Sequence, residues 1–354
     1  MCAVRVELLD YELPPESVAK TPAEPRDSAR LLVDRGPGKE VLHRRVRDLP
    51  DVLEAGDVLV VNTSRVRKAR LRLRRDTGGS VEALLVDRGT DGWWRALVRP
   101  AGRLREGELL RGGRSGDLVV RVGGRWERGR LLKIEARGGT ALTDSDSADA
   151  VEEILEGEGE VPLPPYLSDV EIPPDRYQTV FARNIGSVAA PTAGLHLTEM
   201  LLARLRDRGV SVCEVELHVG PGTFVPLRAA EVEDHRMEEE RYRVPQETQE
   251  ALRRARRVVA VGTTVVRTLE SFAQTGEPEG STELFIYRGH RFRSVDLLLT
   301  NFHLPRSTPL AMVDAFVGDR WRDLYRVALQ SGYRFLSLGD AMLAVGGTAV
   351  RARE

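Results

Sequence analysis

The sequence has almost no cysteine, few aromatic residues and no long apolar run. Two cysteines, Cys2 and Cys213, are too few for a disulfide framework, and Cys213 lies in an apolar strand pattern where a thiol acts as a small core residue. No segment approaches the roughly 20 apolar residues of a membrane-spanning helix. The N-terminus also lacks the basic stretch and apolar segment of a signal peptide. These absences argue against a disulfide-rich secreted domain and a membrane protein, and they predict a cytoplasmic location.

Metal-binding patterns are missing as well. The chain has no paired cysteines, no His-Glu-x-x-His and no ligand spacing on a single predicted helix. Its six histidines therefore favour proton transfer or structural hydrogen bonds over a metal site, and we predict no metal. Any one histidine is more often a hydrogen-bonded core residue than a catalyst.

Charge is distributed unevenly along the chain although the net charge is only −1. Residues 62–140 carry 20 Lys and Arg against 9 Asp and Glu, a net charge of +11, and the rest carries 33 against 45, a net charge of −12. A basic module of this kind is typical of proteins that meet a phosphate-rich partner. A solvated arginine-rich surface explains the same numbers equally well.

The hydrophobic pattern divides the chain into two domains. Short alternating runs separated by glycine-rich turns fill residues 62–140 and predict a small antiparallel β-barrel. The flanking segments, 1–61 and 141–354, contain continuous apolar strands such as 58–61, 210–219 and 296–300. Such strands are typical of a sheet that is buried on both faces. We therefore predict an α/β fold, a three-layer open mixed sheet with helices on both faces, into which the barrel is inserted.

Further elements follow from local signals. Thr198 is placed to cap a helix whose Leu201, Leu202 and Leu205 share one face and which ends at Gly209. A second helix is predicted from Gly262, directly after the apolar run 258–261, and an acidic helix over 149–155. Additional strands are expected at 187–190, as a pair within 284–292, and at 334–338.

Polar loops follow several of the predicted strands. Because ligands of open α/β sheets bind at the carboxyl ends of strands, these loops predict one site at one sheet edge. The start of the helix at Gly262, Thr263 and Thr264 is suited to an anion, such as a phosphate or a carboxylate, with Arg267 one turn further on. A threonine cap without any ligand is the simpler explanation of the same residues.

Six ordered motifs carry a resemblance that covers nearly the whole chain. They are PTAGLH at 191–196, HVGPGTF at 218–224, EDH at 233–235, GTTVVRTLES at 262–271, TNFHLPRST at 300–308 and YRFLSLGDAM at 333–342. In this order they resemble the S-adenosylmethionine:tRNA ribosyltransferase-isomerases of queuosine biosynthesis.

The resemblance implies a reaction and its partners. The ribosyl part of S-adenosylmethionine would be transferred to the aminomethyl group of a 7-deazaguanine in tRNA and rearranged to an epoxycyclopentanediol, with release of adenine and methionine. Such chemistry needs a base for the 5′ proton beside the sulfonium and an acid for adenine, and histidine can serve both near neutral pH. No cofactor beyond S-adenosylmethionine, no metal and no membrane are implied, and we expect a monomer.

The candidate site residues are those of the motifs that bear polar groups or glycine. The predicted catalytic residues are His196, His218, His303 and Asp340, and we expect the three histidines to face one pocket. The predicted donor-binding residues are Thr192, Gly194, Gly220, Gly222, Thr223, His235, Gly262, Thr263, Thr264, Arg267 and Asn301.

At five positions the chain departs from the residues usual in this family: Thr63, Ser64, Lys68, Glu238 and Arg288. Glu238 stands in place of a second histidine. These departures leave two alternatives open, namely the same donor chemistry on a small nucleoside or metabolite, and a non-catalytic RNA-binding protein.

Overall fold

The apolar run at 58–61 forms a central strand of a nine-stranded sheet in a computed structural model that describes residues 4–126, 129–141, 148–224 and 227–347. The chain divides into a larger unit, Met1–Arg65 with Pro165–Glu354, and a smaller one, Val66–Pro164. The predicted barrel boundaries were 62 and 140. The smaller unit extends past residue 140 because the helix at 148–158 buries Val151, Ile154 and Leu155 in the barrel core.

In chain order the strands are β1 Arg30–Val33, β2 Leu42–Arg45, β3 Val58–Asn62, β4 Ser64–Val66, β5 Arg70–Arg75, β6 Ser80–Arg88, β7 Trp94–Arg99, β8 Leu109–Gly112, β9 Leu118–Trp126, β10 Gly129–Arg137, β11 Thr140–Ala141, β12 Asn184–Ser187, β13 Ser211–Leu217, β14 Glu240–Arg243, β15 Val258–Val261, β16 Glu279–Thr282, β17 Leu297–Asn301 and β18 Ala341–Val345. The α-helices are α1 Ala148–Glu158, α2 Glu199–Asp207, α3 Gln246–Arg254, α4 Thr263–Thr275, α5 Thr308–Val317 and α6 Arg320–Gln330.

The large sheet is mixed, with the strand order β16-β14-β13-β3-β15-β17-β18-β1-β2. Its centre, β13-β3-β15-β17, is parallel, and β18 pairs antiparallel with β17 but parallel with β1. The carboxyl ends of β3, β15 and β17 therefore meet at one edge, and β18 begins there. This is the edge at which ligands of such sheets bind.

Both faces of the sheet are covered, as the apolar strands predicted. Along β3, Val58 and Val60 pack into a core with α4, α5 and α6, whereas Leu59 and Val61 pack on the opposite face with α2. The period of two along the strand thus supplies two cores from one run of apolar residues. The three-layer α/β prediction is confirmed.

The smaller unit is a closed antiparallel barrel of six strands, β5 to β10, in which β9 also pairs with β10. Every second side chain points inward: along β5, Leu71 and Leu73 are buried between exposed arginines. Trp94 is also buried in this core. The predicted inserted barrel is therefore confirmed.

Local signals placed α2 and α4 correctly. The Thr198 hydroxyl accepts a hydrogen bond from the Leu201 N–H at 3.1 Å, which caps α2, and Gly209 adopts the left-handed conformation that follows the helix. No helix in the described parts of the chain is long and apolar enough to cross a membrane.

The strand predictions for three segments, four strands in all, were wrong. Residues 187–190 mostly follow β12, which pairs with β4 in a separate two-stranded sheet. Residues 284–292 lie in an irregular segment with a turn, and residues 334–338 form a loop. Within that loop Leu336 has φ 70°, which interrupts an extended chain. The last strand is β18, so Asp340 precedes a strand instead of following one.

Candidate active site

An open cleft lies at the edge where β15 and β17 end. Its volume is about 740 Å³ when the space open to solvent is counted. The cleft is lined by apolar side chains and by uncharged polar ones. The titratable side chains among the lining residues are those of His303 and Tyr166. The lining residues are Tyr166, Ala189, Ala190, Pro191, Thr192, Ala193, Val219, Gly262, Thr263, Thr264, Thr300, Asn301, Phe302, His303, Leu304, Ser307, Pro309, Leu336 and Ser337.

The N-terminus of α4 opens onto this cleft. Gly262 has φ 90°, a conformation that side chains rarely adopt, and its N–H donates to the Leu299 carbonyl at 2.8 Å. This turn lets α4 begin directly after β15. Thr263 and Thr264 therefore line the cleft from the first turn of the helix, where free backbone N–H groups favour an anion.

Asn301 at the end of β17 connects two predicted site residues. The side-chain oxygen Oδ1 of Asn301 accepts from the Thr192 hydroxyl at 2.9 Å, and its side-chain nitrogen Nδ2 lies 3.1 Å from His196 Nε2. Since an amide nitrogen only donates, Nε2 of His196 is the acceptor and its ring is neutral. Desolvation, assisted by the positive charges of Arg334 and Arg26, lowers the pKa of His196 to about 4. His196 thus lies behind the cleft lining and orients Asn301.

His303 lines the cleft itself. The ring nitrogen Nε2 of His303 lies 2.8 Å from the Thr300 hydroxyl. The backbone N–H of His303 donates to Tyr325 Oη at 3.0 Å, and its backbone carbonyl accepts from Tyr11 Oη at 2.5 Å. Two tyrosines therefore hold the backbone, and Thr300 holds the ring. Desolvation lowers the pKa of His303 to about 3, so the imidazole is neutral at physiological pH.

Asp340 and His218 do not line the cleft. Asp340 is buried and accepts backbone N–H groups of Arg30 and Arg334, both at 2.8 Å, so it fixes the loop before β18. His218 Nε2 lies 2.6 Å from Glu216, and its ring covers Gly186, where a Cβ would come within 2.4 Å of the imidazole. The structure thus brings His303 and, one layer behind it, His196 to the cleft, and places His218 elsewhere.

Arg267 is engaged within the protein. Its guanidinium pairs with Glu240 and donates to the carbonyl of Leu284 at 3.0 Å and that of Thr282 at 3.2 Å. Glu240 also accepts the N–H of Gly220 at 2.8 Å. Desolvation raises the pKa of Glu240. Arg267 therefore supports the loop at 220–224 through Glu240.

Other predicted donor-binding residues lie in or near the loop at 220–224, or are packed closely against neighbouring side chains. A Cβ on Gly222 would meet Glu238 at 3.1 Å, and a Cβ on Gly194 would meet Phe181 at 2.8 Å, so both glycines permit close packing. His235 packs its ring edge against Phe285, with 5.2 Å between centroids. The side chain of Thr223 lies outside the described part of the structure.

Sequence reasoning missed four polar residues that line the cleft: Thr300, Ser307, Ser337 and Tyr166. Thr300 and Ser307 lie in the motif TNFHLPRST and Ser337 lies in YRFLSLGDAM, whereas Tyr166 lies outside the six motifs, in the segment VPLPPYL at 161–167. Their hydroxyls could have been weighed beside the histidines. Among the described residues, no group of three or more potential metal ligands is clustered.

The five departures have contacts outside the cleft lining. Lys68 pairs with Glu156 at 2.8 Å, and Arg288 pairs with Asp314 and Asp319, each at 2.6 Å. Thr63 donates to the Val215 carbonyl and Ser64 accepts from Ser187. Glu238 packs against Gly222. The five positions are thus separate from the residues that line the cleft.

Comparison with known proteins finds relatives that match nearly the whole chain. The family profile described as "Queuosine biosynthesis protein" matches residues 6–344. The chain is 49% identical over 350 residues to the S-adenosylmethionine:tRNA ribosyltransferase-isomerase of Rubrobacter xylanophilus, covering 97% of this chain and 98% of that protein. It is 50% identical over 350 residues to a protein of the same name from Thermus thermophilus, covering 96% of this chain and 99% of that protein.

A solved structure is similar as well. The crystal structure of the S-adenosylmethionine tRNA ribosyltransferase from Thermotoga maritima has a TM-score of 0.52 and 38% sequence identity to this chain. The match covers 95% of this chain and 99% of that one.

Proposed function

Since the chain belongs to the queuosine biosynthesis protein family of S-adenosylmethionine:tRNA ribosyltransferase-isomerases, we propose that it transfers and isomerises the ribosyl moiety of S-adenosylmethionine onto the 7-aminomethyl-7-deazaguanine of tRNA. Adenine and methionine leave in this reaction, and the product is epoxyqueuosine-tRNA. The single observation that carries the proposal is identity of about half over nearly the full length of both proteins.

The cleft at the ends of β15 and β17 is the proposed donor site. Its largely apolar lining would bury the adenosyl group. The first turn of α4 at Thr263 and Thr264 would bind the methionine carboxylate, because its free backbone N–H groups can donate to the carboxylate and the helix dipole favours an anion there. Gly262 supports this assignment, since its positive φ brings the turn to the cleft.

His303 is the proposed base for the 5′ proton of the donor. When a neutral imidazole takes a proton from a sulfonium cation, the net charge of the pair stays at +1. The transfer therefore does not create a new pair of opposite charges on the two molecules, and an uncharged cleft does not oppose it. The low pKa of His303 keeps the ring unprotonated at neutral pH, and it also makes the ring a weak base. The Thr300 hydroxyl at 2.8 Å from Nε2 would accept the N–H of the imidazolium and stabilise it.

The remaining predicted residues act as positioning groups in this proposal. His196 accepts from Asn301, which in turn accepts from Thr192, so the three residues fix two cleft-lining side chains. Asp340 fixes the loop that contributes Leu336 and Ser337 to the lining. His218 lies outside the cleft lining, and we no longer assign it to proton transfer.

The barrel is proposed to help hold tRNA, through fewer charges than its sequence indicates. Residues 66–164 carry 19 Lys and Arg against 17 Asp and Glu, because α1 and the segment after it are acidic. Several arginines are paired within the unit, for example Arg75 with Glu108 at 2.6 Å and Arg67 with Glu152 at 2.7 Å. Exposed arginines without an ion pair among the described residues are the candidates for phosphate contacts: Arg74, Arg99, Arg103, Arg105, Arg114 and Arg125.

One experiment tests the function directly. The protein is incubated with S-adenosylmethionine and tRNA carrying the 7-aminomethyl-7-deazaguanine precursor, and adenine, methionine and the modified nucleoside are followed by mass spectrometry. We expect release of adenine and methionine that requires the precursor tRNA. Release with a small nucleoside acceptor alone, or no release under any condition, would contradict the proposal.

A further inference from the structure

Tyrosine side chains bind both backbone polar groups of His303. Its N–H donates to Tyr325 Oη at 3.0 Å, and its carbonyl accepts from the Tyr11 hydroxyl at 2.5 Å. Neither group makes a backbone–backbone hydrogen bond with any residue that the structure describes. His303 lies in a loop two residues after β17 ends, so no sheet or helix fixes its peptide units. The orientation of those units therefore depends on two phenol groups.

These two bonds act on both sides of the His303 Cα. The N–H belongs to the peptide unit before this atom, and the carbonyl belongs to the unit after it. Because a peptide unit is planar, fixing both units restricts φ and ψ of His303 and thereby the direction of its Cβ. The Thr300 hydroxyl, 2.8 Å from Nε2, restrains the rotation of the ring that remains. The position of Nε2 in the cleft thus depends on three hydroxyl groups.

Tyr325 is itself closely packed in α6. It is 1% exposed, and its ring makes edge-to-face contacts with Tyr11, Phe302 and Trp321 at centroid distances of 5.3, 5.3 and 5.4 Å. Aromatic rings prefer such edge-to-face geometry at these distances. Only 5% of the chain is aromatic, so four rings packed together behind the cleft are a local concentration. Phe302 also lines the cleft, which joins this aromatic cluster directly to the site.

The segment that carries Tyr11 is bound on both sides of this residue. Before it, the Leu9 carbonyl accepts from the Arg306 N–H at 2.9 Å, and after it the Ser17 carbonyl accepts from the Phe335 N–H at 2.7 Å. The first of these bonds joins the segment to the loop that follows β17. The Tyr11 hydroxyl is therefore fixed relative to that loop, although 292 positions along the chain separate it from the carbonyl that it binds.

The two hydroxyls keep their protons. Desolvation raises the pKa of Tyr11 and that of Tyr325, so both are neutral phenols at physiological pH. A phenylalanine at either position would leave a backbone group of His303 without its partner. Backbone polar groups that are buried without a partner are unfavourable, so the loop would turn to find another partner or water. The imidazole would move with the loop.

We propose that Tyr325 and Tyr11 are positioning residues for His303: they bind the two peptide units that flank its Cα and so hold the imidazole toward the donor. This proposal rests on the proposed function, in which His303 takes the 5′ proton. Neither tyrosine is in the cleft lining, so neither should contact the donor. Their removal should slow proton transfer and leave donor binding unchanged.

The test compares Tyr325→Phe and Tyr11→Phe in the full-length protein. We expect each variant to lower kcat about tenfold to hundredfold, because a displacement of about 1 Å at a reacting group costs up to about a hundredfold. The Kd for S-adenosylmethionine in calorimetry should stay at the wild-type value. Exchange of the donor 5′ hydrogens with deuterated water should slow by the same factor as kcat. Tyr11 is half-buried, and its variant decides the question should Tyr325→Phe not fold.

A second measurement needs no turnover. The NMR signal of the imidazole Cε1–H of His303, assigned by its loss in His303→Ala, should be single in the wild type and shifted or broadened in both phenylalanine variants. Tyr333→Phe is the matched control, because its ring also packs against Phe302, at 5.8 Å between centroids, but its hydroxyl lies 2.9 Å from His43 Nδ1. We expect this control to keep both kcat and the His303 signal.

The positioning role is refuted if Tyr325→Phe and Tyr11→Phe lose only thermal stability and keep the wild-type kcat and His303 signal. A wild type that binds S-adenosylmethionine but neither turns over nor exchanges the 5′ hydrogens would instead contradict the proposed function. In that case the NMR comparison alone decides whether the two tyrosines orient His303.

Discussion

Removing the guanidinium of Arg267 should destabilise the larger unit in a pH-dependent way. Arg267 and Glu240 are 5% and 4% exposed, and Arg267 is the cation that pairs with Glu240 among the described residues. In Arg267→Met the carboxyl group would remain buried, with the Gly220 N–H as its remaining partner in the described parts of the chain. Breaking a buried pair by removing one partner costs about 3–5 kcal/mol, since the remaining charge is uncompensated.

The pH dependence follows from the direction of the pKa of Glu240. Burial already raises this pKa, and Arg267 opposes the rise, so the variant should have a still higher value. A carboxyl group whose pKa is higher in the folded state takes up a proton on folding. Its contribution to stability is present at low pH and is lost as the pH rises through the folded-state pKa. We therefore expect a larger loss near pH 8 than near pH 5, where a larger fraction of Glu240 is protonated.

Urea unfolding at the two pH values measures this effect on the wild type, Arg267→Met and the double variant Arg267→Met with Glu240→Gln. We expect the second substitution to recover part of the loss at pH 8, because it removes the unpaired charge. Arg256→Met is the matched control: its pair with Glu54 is half exposed, so its removal should cost less than about 1 kcal/mol. The reasoning is refuted if Arg267→Met is no worse than this control, or if its loss is the same at both pH values.

Three further predictions test the cleft and the barrel. His303→Ala should lower turnover roughly 10²–10⁴-fold and leave donor affinity nearly unchanged. It should also abolish exchange of the donor 5′ hydrogens with deuterated water. Wild-type turnover in a folded variant would exclude His303 as the base. Because His303 has a pKa of about 3, its protonation should not lower kcat/KM between pH 7 and pH 5. Gly262→Ala should weaken donor binding and lower stability, because φ 90° with ψ 160° is a conformation essentially restricted to glycine. Gly276→Ala, in the left-handed conformation at the other end of α4, should cost about 1–2 kcal/mol and leave binding intact. Equal binding in both variants would remove the α4 turn from the donor site. Arg74→Glu should weaken tRNA binding and its salt dependence in filter-binding assays, while Arg75→Glu, which breaks the pair with Glu108, should mainly lower stability; the opposite ranking would contradict the assignment of phosphate contacts.

Much of the fold could be predicted from local sequence because the relevant forces are local. The cap at Thr198, the left-handed Gly209 and the unbroken apolar run at 58–61 each depend on residues within one helical turn or one strand. The ordered motifs likewise led to the family, and they contain most of the residues that line the cleft. Where the local preference of a segment agrees with its tertiary packing, the sequence pattern is sufficient to predict the element.

Contacts between distant segments could not be predicted in this way. His196 accepts from Asn301, which is 105 positions away, and Asp340 binds the N–H of Arg30, which is 310 positions away. Nothing in the sequence around either residue distinguishes these positioning roles from catalysis. His303 meets the cleft and His218 does not, because the direction of each side chain depends on which neighbouring segment it packs against.

The charge of the barrel shows the same limit. Composition alone counted the arginines of residues 62–140, but which carboxylates neutralise them depends on how α1 and the strands pack. Arg72 pairs with Glu160, 88 positions along the chain. From the sequence alone we could predict the family, the two central helices α2 and α4, the buried strands of the sheet, and several of the polar residues at the cleft. Which of those residues are paired, buried or open to a ligand depends on the three-dimensional packing, because Coulomb and hydrogen-bond energies depend on distances in space and not along the chain.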